Sequence, residues 1–151
     1  MAATIGTSAR ARRLRGELEA QHARSLPGYF RATAEPSLPE RDRFTEILVA
    51  EAEGAGGVCG FVVVKVVETP RDPTLTGKRR AHVEMIGVGE TWRRRGIGRL
   101  LMEAAERWAE ARGCVETVLT VWRDNPAADA LYRSLGYEPI ARVLRKSTGI
   151  S

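Results

Sequence analysis

A chain of 151 residues, 43% hydrophobic and 28% charged, has the makeup of one ordinary globular domain (1–151) rather than of a disordered, fibrous or disulfide-built protein. No apolar stretch approaches the roughly 20 residues that cross a bilayer. Ala9 to Leu18 (Ala-Arg-Ala-Arg-Arg-Leu-Arg-Gly-Glu-Leu) lacks the apolar run of a signal peptide, so a cytoplasmic location without membrane contact is expected. The net charge of +5 invites a nucleic-acid reading, which the pattern of charge does not support. Lys65, Lys78 and Lys146 are the lysines, arginine supplies the rest, and acids (Glu17, Glu19, Glu103, Glu106, Glu110) are interspersed. Basic residues concentrate at Arg10 to Arg15, Lys78 to Arg80 and Arg93 to Arg99, and the last cluster has only Trp92 as an aromatic platform.

In chain order, Arg10 to Ser25 carries Leu14, Leu18, His22 and Ala23 at helical spacing and stops before Pro27. A proline-rich loop follows (Pro27, Pro36, Pro39), interrupted by Tyr29 and Phe30. Thr45 to Glu53 and Val58 to Thr69 read as two strands joined through Gly54 to Gly57, an antiparallel hairpin. Cys59 lies in that apolar run and Cys114 follows a glycine. Neither has a partner at metal-ligand spacing, and both read as small apolar core residues rather than as catalytic thiols.

After a loop at Pro70 to Gly77, Ala81 to Val88 is a third strand. Gly96 to Arg112 is an amphipathic helix, with Ile97, Leu100, Leu101, Ala104, Ala105 and Trp108 on one face, closed by Gly113. Val115 to Trp122 is a β-branched strand. Asn125-Pro126 opens a short helix that ends at Gly136, and Pro139 to Lys146 is predicted to be a last strand. A hairpin followed by alternating helices and strands implies an α/β domain: a mixed, mostly antiparallel sheet with one parallel strand pair, flanked by helices.

The turn between the third strand and the long helix carries the chemistry. Gly96 and Gly98 leave backbone N–H groups there unshielded, the helix start provides unpaired donors and a positive dipole end, and arginines flank it. Arg93, Arg94, Arg95 and Arg99 add charge-assisted bonds to phosphate oxygens. This predicts a phosphate-bearing ligand. A Walker loop is excluded because Arg99-Leu100 follows Gly98, and a dinucleotide fingerprint because Leu101 stands where a third small residue is needed.

Arg93-x-x-Gly96-x-Gly98, preceded by Ile86-Gly87-Val88 and followed by the amphipathic helix, resembles the cofactor motif of the GNAT superfamily of N-acetyltransferases. Asn125-x-x-Ala128-x-x-Leu131-Tyr132-x-x-x-Gly136-Tyr137 resembles that family's second motif, with the expected strand between the two. The resemblance covers about Val58 to Lys146. It implies acetyl-CoA as co-substrate, with no metal, and a sheet whose two central strands splay to admit the pantetheine arm. Ile86, Gly87 and Val88 would pair with that arm, the N–H of Val88 would polarise the thioester carbonyl, and Arg93 to Arg99, including Ile97, would hold the pyrophosphate. Gly87 stands where the family usually has an apolar residue, and a β-bulge is expected there. Family members usually begin with a strand before the first helix, and only Met1 to Ser8 precedes it here.

Acetylating an aliphatic amine requires removal of a proton, because its pKa is near 10, together with stabilisation of an oxyanion and protonation of the leaving thiolate. Glu84, in an otherwise apolar strand, is the first candidate base, with His82 behind it. Residues 82, 84, 86 and 88 share one face if the bulge lies beyond Glu84. The alternative for Glu84 is a structural carboxylate paired with a nearby arginine. Tyr132 falls where the family places an acidic phenol facing the CoA sulfur; the alternative is a core aromatic. Asn125 is either a cofactor contact or an N-cap. Trp122, Tyr29 and Phe30 are candidates for lining the acceptor pocket, the alternative for each being a core aromatic. The carboxylates Glu35, Glu40, Asp42 and Glu46 hint at a cationic acceptor, either a small molecule or a peptide amine. A homodimer is expected, since a short first strand leaves a sheet edge in need of cover. The competing reading is a domain of this family that senses acetyl-CoA without turnover.

Overall fold

The computed structural model describes residues 2–5, 9–25, 38–52, 57–68, 77–122 and 125–150. In chain order they form β1 (Ala2–Ile5), α1 (Ala9–Ser25), β2 (Thr45–Ala52), β3 (Gly57–Val67), β4 (Arg80–Val88), a 3-10 turn (Glu90–Trp92), α2 (Ile97–Glu110), β5 (Glu116–Leu119) and α3 (Pro126–Ser134). Among the described residues the sheet runs β1-β2-β3-β4-β5, antiparallel from β1 to β4 and parallel between β4 and β5. The mixed α/β sheet with one parallel pair, expected from the sequence, is the one observed. The family's first strand is present but short: Ala2–Ile5 pairs with 48–51 of β2. No helix among the described residues is long and apolar enough to cross a membrane.

The central strands read as continuous apolar runs because helices cover both faces of the sheet. Val62 and Val64 of β3 point to α2, with Leu101, Met102, Ala105 and Trp108, while Phe61 and Val63 point to α1, with Ala11 and Leu14. α2 buries Ile97, Leu101, Met102, Ala104, Ala105, Trp108 and Ala109, the stripe its spacing requires. Gly113 takes φ +74° just past its end, and the N–H of Cys114 returns to the carbonyl of Ala109 at 3.1 Å, closing the last turn. Cys59 is buried, as expected, and Cys114 is half-buried.

Two expectations fail. The bulge in β4 is not at Gly87. Val64 pairs with Val83 and Val63 with Met85, so the extra residue is Glu84. Gly87 answers to packing instead: a Cβ there would lie 2.7 Å from Cε1 of the fully buried Phe61. The second failure is at 139–146, which forms no strand. Its β-branched sequence favours extended backbone, but a strand exists only with a ladder partner, and the described part of this chain provides none.

Candidate active site

The parallel ladder pairs Arg80 with Glu116, Ala81 with Thr117, His82 with Val118 and Val83 with Leu119, and stops there. Beyond it β4 runs on to Val88 with β3 on one side and, among the described residues, no strand partner on the other. The bulge at Glu84 sits where the ladder ends, and the local bend of a bulged strand turns β4 away from β5. The result is a fork with Glu84 at its apex. The N–H of Gly89 bonds to the Cys59 carbonyl on the β3 side at 2.8 Å. By strand alternation the N–H groups of Val88 and Ile86 therefore face the fork.

The mouth of the fork leads to the start of α2. Arg94 and Gly96 both take positive φ, 63° and 77°, so the chain reverses direction within three residues. Gly96 is the N-cap, no side chain caps the helix, and the first helical bond is Leu100 N–H to Gly96 carbonyl at 3.1 Å. The N–H groups of Ile97, Gly98 and Arg99 thus project from the helix end without an intrahelical acceptor. α3 differs: its N-terminus is capped by Asn125, whose Oδ1 accepts from the Ala128 N–H at 3.1 Å.

The arginines around this helix end are held largely by neutral groups. Arg93 donates to Gln21 Oε1 at 3.1 Å, Arg95 lies over the Trp92 ring at 5.0 Å, and Arg99 donates to Ser134 Oγ at 2.6 Å with Glu103 3.9 Å away. Their positive charge adds to that of the helix dipole. At Gly98 a Cβ would come within 3.1 Å of Leu131 Cδ2, so the glycine also lets α3 close onto α2.

The two candidate catalytic groups lie on opposite faces of the sheet. Because the bulge falls on Glu84 itself, Met85 packs on the α1 side while Ile86 and Val88 pack on the α2 side. The shared face expected for 82, 84, 86 and 88 is therefore divided: His82 and Glu84 stay together and Ile86 and Val88 turn away. Glu84 accepts from Lys65 Nζ at 2.9 Å, and His82 Nδ1 is 4.0 Å from the same oxygen. Lys65, the one charged residue in the run Phe61 to Val67, was the overlooked signal for this cluster. Tyr132 is buried within the α2-side core, and burial raises its pKa above 10.0. Its ring meets Tyr137 edge-on at 5.9 Å. The Tyr137 hydroxyl donates to Glu106 Oε1 at 3.0 Å and also bonds to Thr117. Burial first, and then the Glu106 carboxylate, drive the Tyr137 pKa far upward.

The remaining candidates divide by position. Asn125 acts as an N-cap and lines, with Val121, Trp122, Pro126 and Asp129, a hollow of about 250 Å³. Tyr29, Phe30 and Glu35 lie outside the described residues. Asp42 accepts from the N–H groups of Phe44 and Thr45, and Glu46 is buried against Arg41 and the Ile47 N–H. Those two carboxylates are engaged in local structure.

A family model described as "Acetyltransferase (GNAT) family" matches residues 12–137. The chain belongs to the GNAT family. Its relatives include a mycothiol acetyltransferase of Amycolatopsis mediterranei (strain U-32), 38% identical over 86 residues, which are 57% of this chain and 28% of that protein. The chain spans about a third or less of the length of the first such relatives. Among solved structures, a mutant of the BH1408 protein from Bacillus halodurans superposes with a TM-score of 0.88 at 25% identity, covering 97% of this chain and 99% of that one. The aminoglycoside N-acetyltransferase AAC(6')-Iy in complex with CoA shares the GNAT fold at a TM-score of 0.68 and 20% identity, covering 98% and 99%.

Proposed function

We propose that this domain is an N-acetyltransferase that moves an acetyl group from acetyl-CoA to a primary amine by direct attack, with both substrates bound together. The observation that carries the reading is the uncapped, arginine-flanked N-terminus of α2 at the mouth of a forked parallel strand pair. A neighbour of the same fold was determined with CoA. When bound, acetyl-CoA supplies an activated thioester; the chain's own groups do the rest. The N–H groups of Ile97, Gly98 and Arg99, with the guanidinium groups of Arg93, Arg94 and Arg95, hold the pyrophosphate. The open edge of Ile86, Gly87 and Val88 pairs with the pantetheine arm, and the fork-facing N–H groups of Ile86 and Val88 donate to it and to the thioester carbonyl.

Glu84, at the apex, takes the proton from the acceptor ammonium, held in place by Lys65 and flanked by His82. Tyr132, a phenol and so protonated at neutral pH, holds its proton more firmly because it is buried, and delivers it to the leaving sulfur from the other face of the sheet. The test is a panel of amines with acetyl-CoA, following release of free thiol. Turnover with at least one amine is expected, with the thiol appearing in step with the acetylated amine. CoA binding without turnover across aliphatic, aminoglycoside and peptide amines would instead make the domain a CoA sensor.

A further inference from the structure

We propose, on the acetyl-transfer reading of this site, that the acceptor is an amine carrying an anionic group of its own within a few bonds, and that Lys65 selects it. In β3, Phe61 and Val63 face α1, while Val62, Val64 and Val66 face α2. Alternation puts Lys65 on the α1 face, next in the row after Val63. It pairs in register with His82 of β4, which in turn pairs with Val118 of β5. The side chains of Lys65, His82 and Glu84 are 42%, 46% and 34% exposed, so among the described residues the three are open to a ligand at the apex of the fork.

The two oxygens of Glu84 have different surroundings. Lys65 Nζ and His82 Nδ1 both approach Oε1, at 2.9 and 4.0 Å. Among the described residues Oε2 has no ion-pair or hydrogen-bond partner, and it is the oxygen that receives the acceptor's ammonium. A lysine ammonium has three N–H donors, and Oε1 takes one of them. The others are available to an anion seated beside the carboxylate. The ion pair is half-exposed, and such pairs add little to stability, so sharing Lys65 with a ligand costs the fold little.

The neighbouring charges point the same way. Along β4 from the apex toward its start, each described carboxylate already has a cation. Glu84 pairs with Lys65, Glu116 with Arg80, and Glu68 with Arg79 at 3.0 Å. An acceptor bearing a second ammonium would bring it against Lys65 and Arg80, with no unpaired carboxylate there to receive it. That repulsion discriminates between acceptors as an attraction does. An acceptor bearing an anion instead completes a ring of alternating charge: its ammonium on Glu84, Glu84 on Lys65, and Lys65 on its anion. The same contacts hold the reacting amine beside the base.

The test measures kcat/KM by thiol release at one pH and ionic strength, with the full chain and its variants Lys65→Met and Lys65→Arg. The acceptors are glycine, alanine and phenylalanine, the amide of each, O-phosphoethanolamine and 1,4-diaminobutane. A rise in melting temperature with acetyl-CoA checks that each variant is folded and binds the cofactor. In the wild type an amino acid or O-phosphoethanolamine should exceed the amides and the diamine at least roughly tenfold, and the faster of the two tells carboxylate from phosphate. Lys65→Met should lower kcat/KM for the anionic amine roughly tenfold more than for the amides, because it removes the partner of the anion. Lys65→Arg, which keeps the charge, should retain the preference. A lysine that only steadies Glu84 would lower both classes equally, and that result overturns the proposal while leaving acetyl transfer in place. So would a wild type that prefers the amides or the diamine. Acetyl-CoA binding without turnover of any of these amines or of the wider panel would remove the acetyl-transfer reading and this proposal together.

Discussion

Glu84 and Tyr132 are read as base and acid from different physical evidence, and the two roles separate by pH. Glu84→Gln keeps the shape but accepts no proton, so turnover should fall by roughly 10²-fold near neutral pH and partly recover at high pH, where free amine is plentiful. Tyr132→Phe keeps the packing, and its deficit should persist there. Burial raises the Tyr132 pKa, which moves the phenol's own titration further above neutrality than that of an ordinary tyrosine. The pH–rate profiles of both variants with one good acceptor decide the matter. A wild-type profile for Glu84→Gln would move the base to His82 or to water. At Gly87 the prediction concerns stability. Gly87→Ala sets a methyl 2.7 Å from the ring of the fully buried Phe61, so something must shift, and should cost about 1–3 kcal/mol in denaturant titration. A cost near zero would mean that β4 can shift there.

At the scale of elements, the contrast between the two helix starts is what points to a ligand. α3 uses Asn125 to satisfy the N–H of Ala128, whereas α2 begins on a left-handed glycine, Gly96, with no side-chain cap. Gly98→Asp tests this directly. The new side chain meets the flexible end of Leu131, which can give by a few tenths of an ångström, so the fold should survive with a modest loss of stability. The carboxylate would oppose the pyrophosphate at the positive end of the helix, and CoA affinity should fall at least roughly tenfold. Wild-type affinity in titration calorimetry would place the phosphates elsewhere. The fork depends on an equally local device, because the extra residue at Glu84 ends the parallel ladder at Val83 and Leu119.

At the scale of the whole molecule, acetyl-CoA should raise the melting temperature of the wild type in a concentration-dependent way, while NAD and ATP at equal concentration should not. No shift with CoA in scanning calorimetry of folded protein would remove the pyrophosphate site from the account. Much of this architecture was legible in the sequence because it rests on local rules. The period of α2, the glycines that open and close it, the apolar runs of β2 and β3 and the spacing of the two motifs each specify structure within a few residues. What the sequence could not show is whatever depends on a partner strand or an opposing face. The bulge went to Glu84 because register is settled against β3, and Gly87 is small because Phe61 on the next strand fills its space. The backbone N–H partners of Asp42 and the arginine partner of Glu46 likewise became visible only in the fold. Segment 139–146 has the residues of a strand, but strand pairing is a property of two chain segments, and among the described residues the tertiary structure gives this one no second.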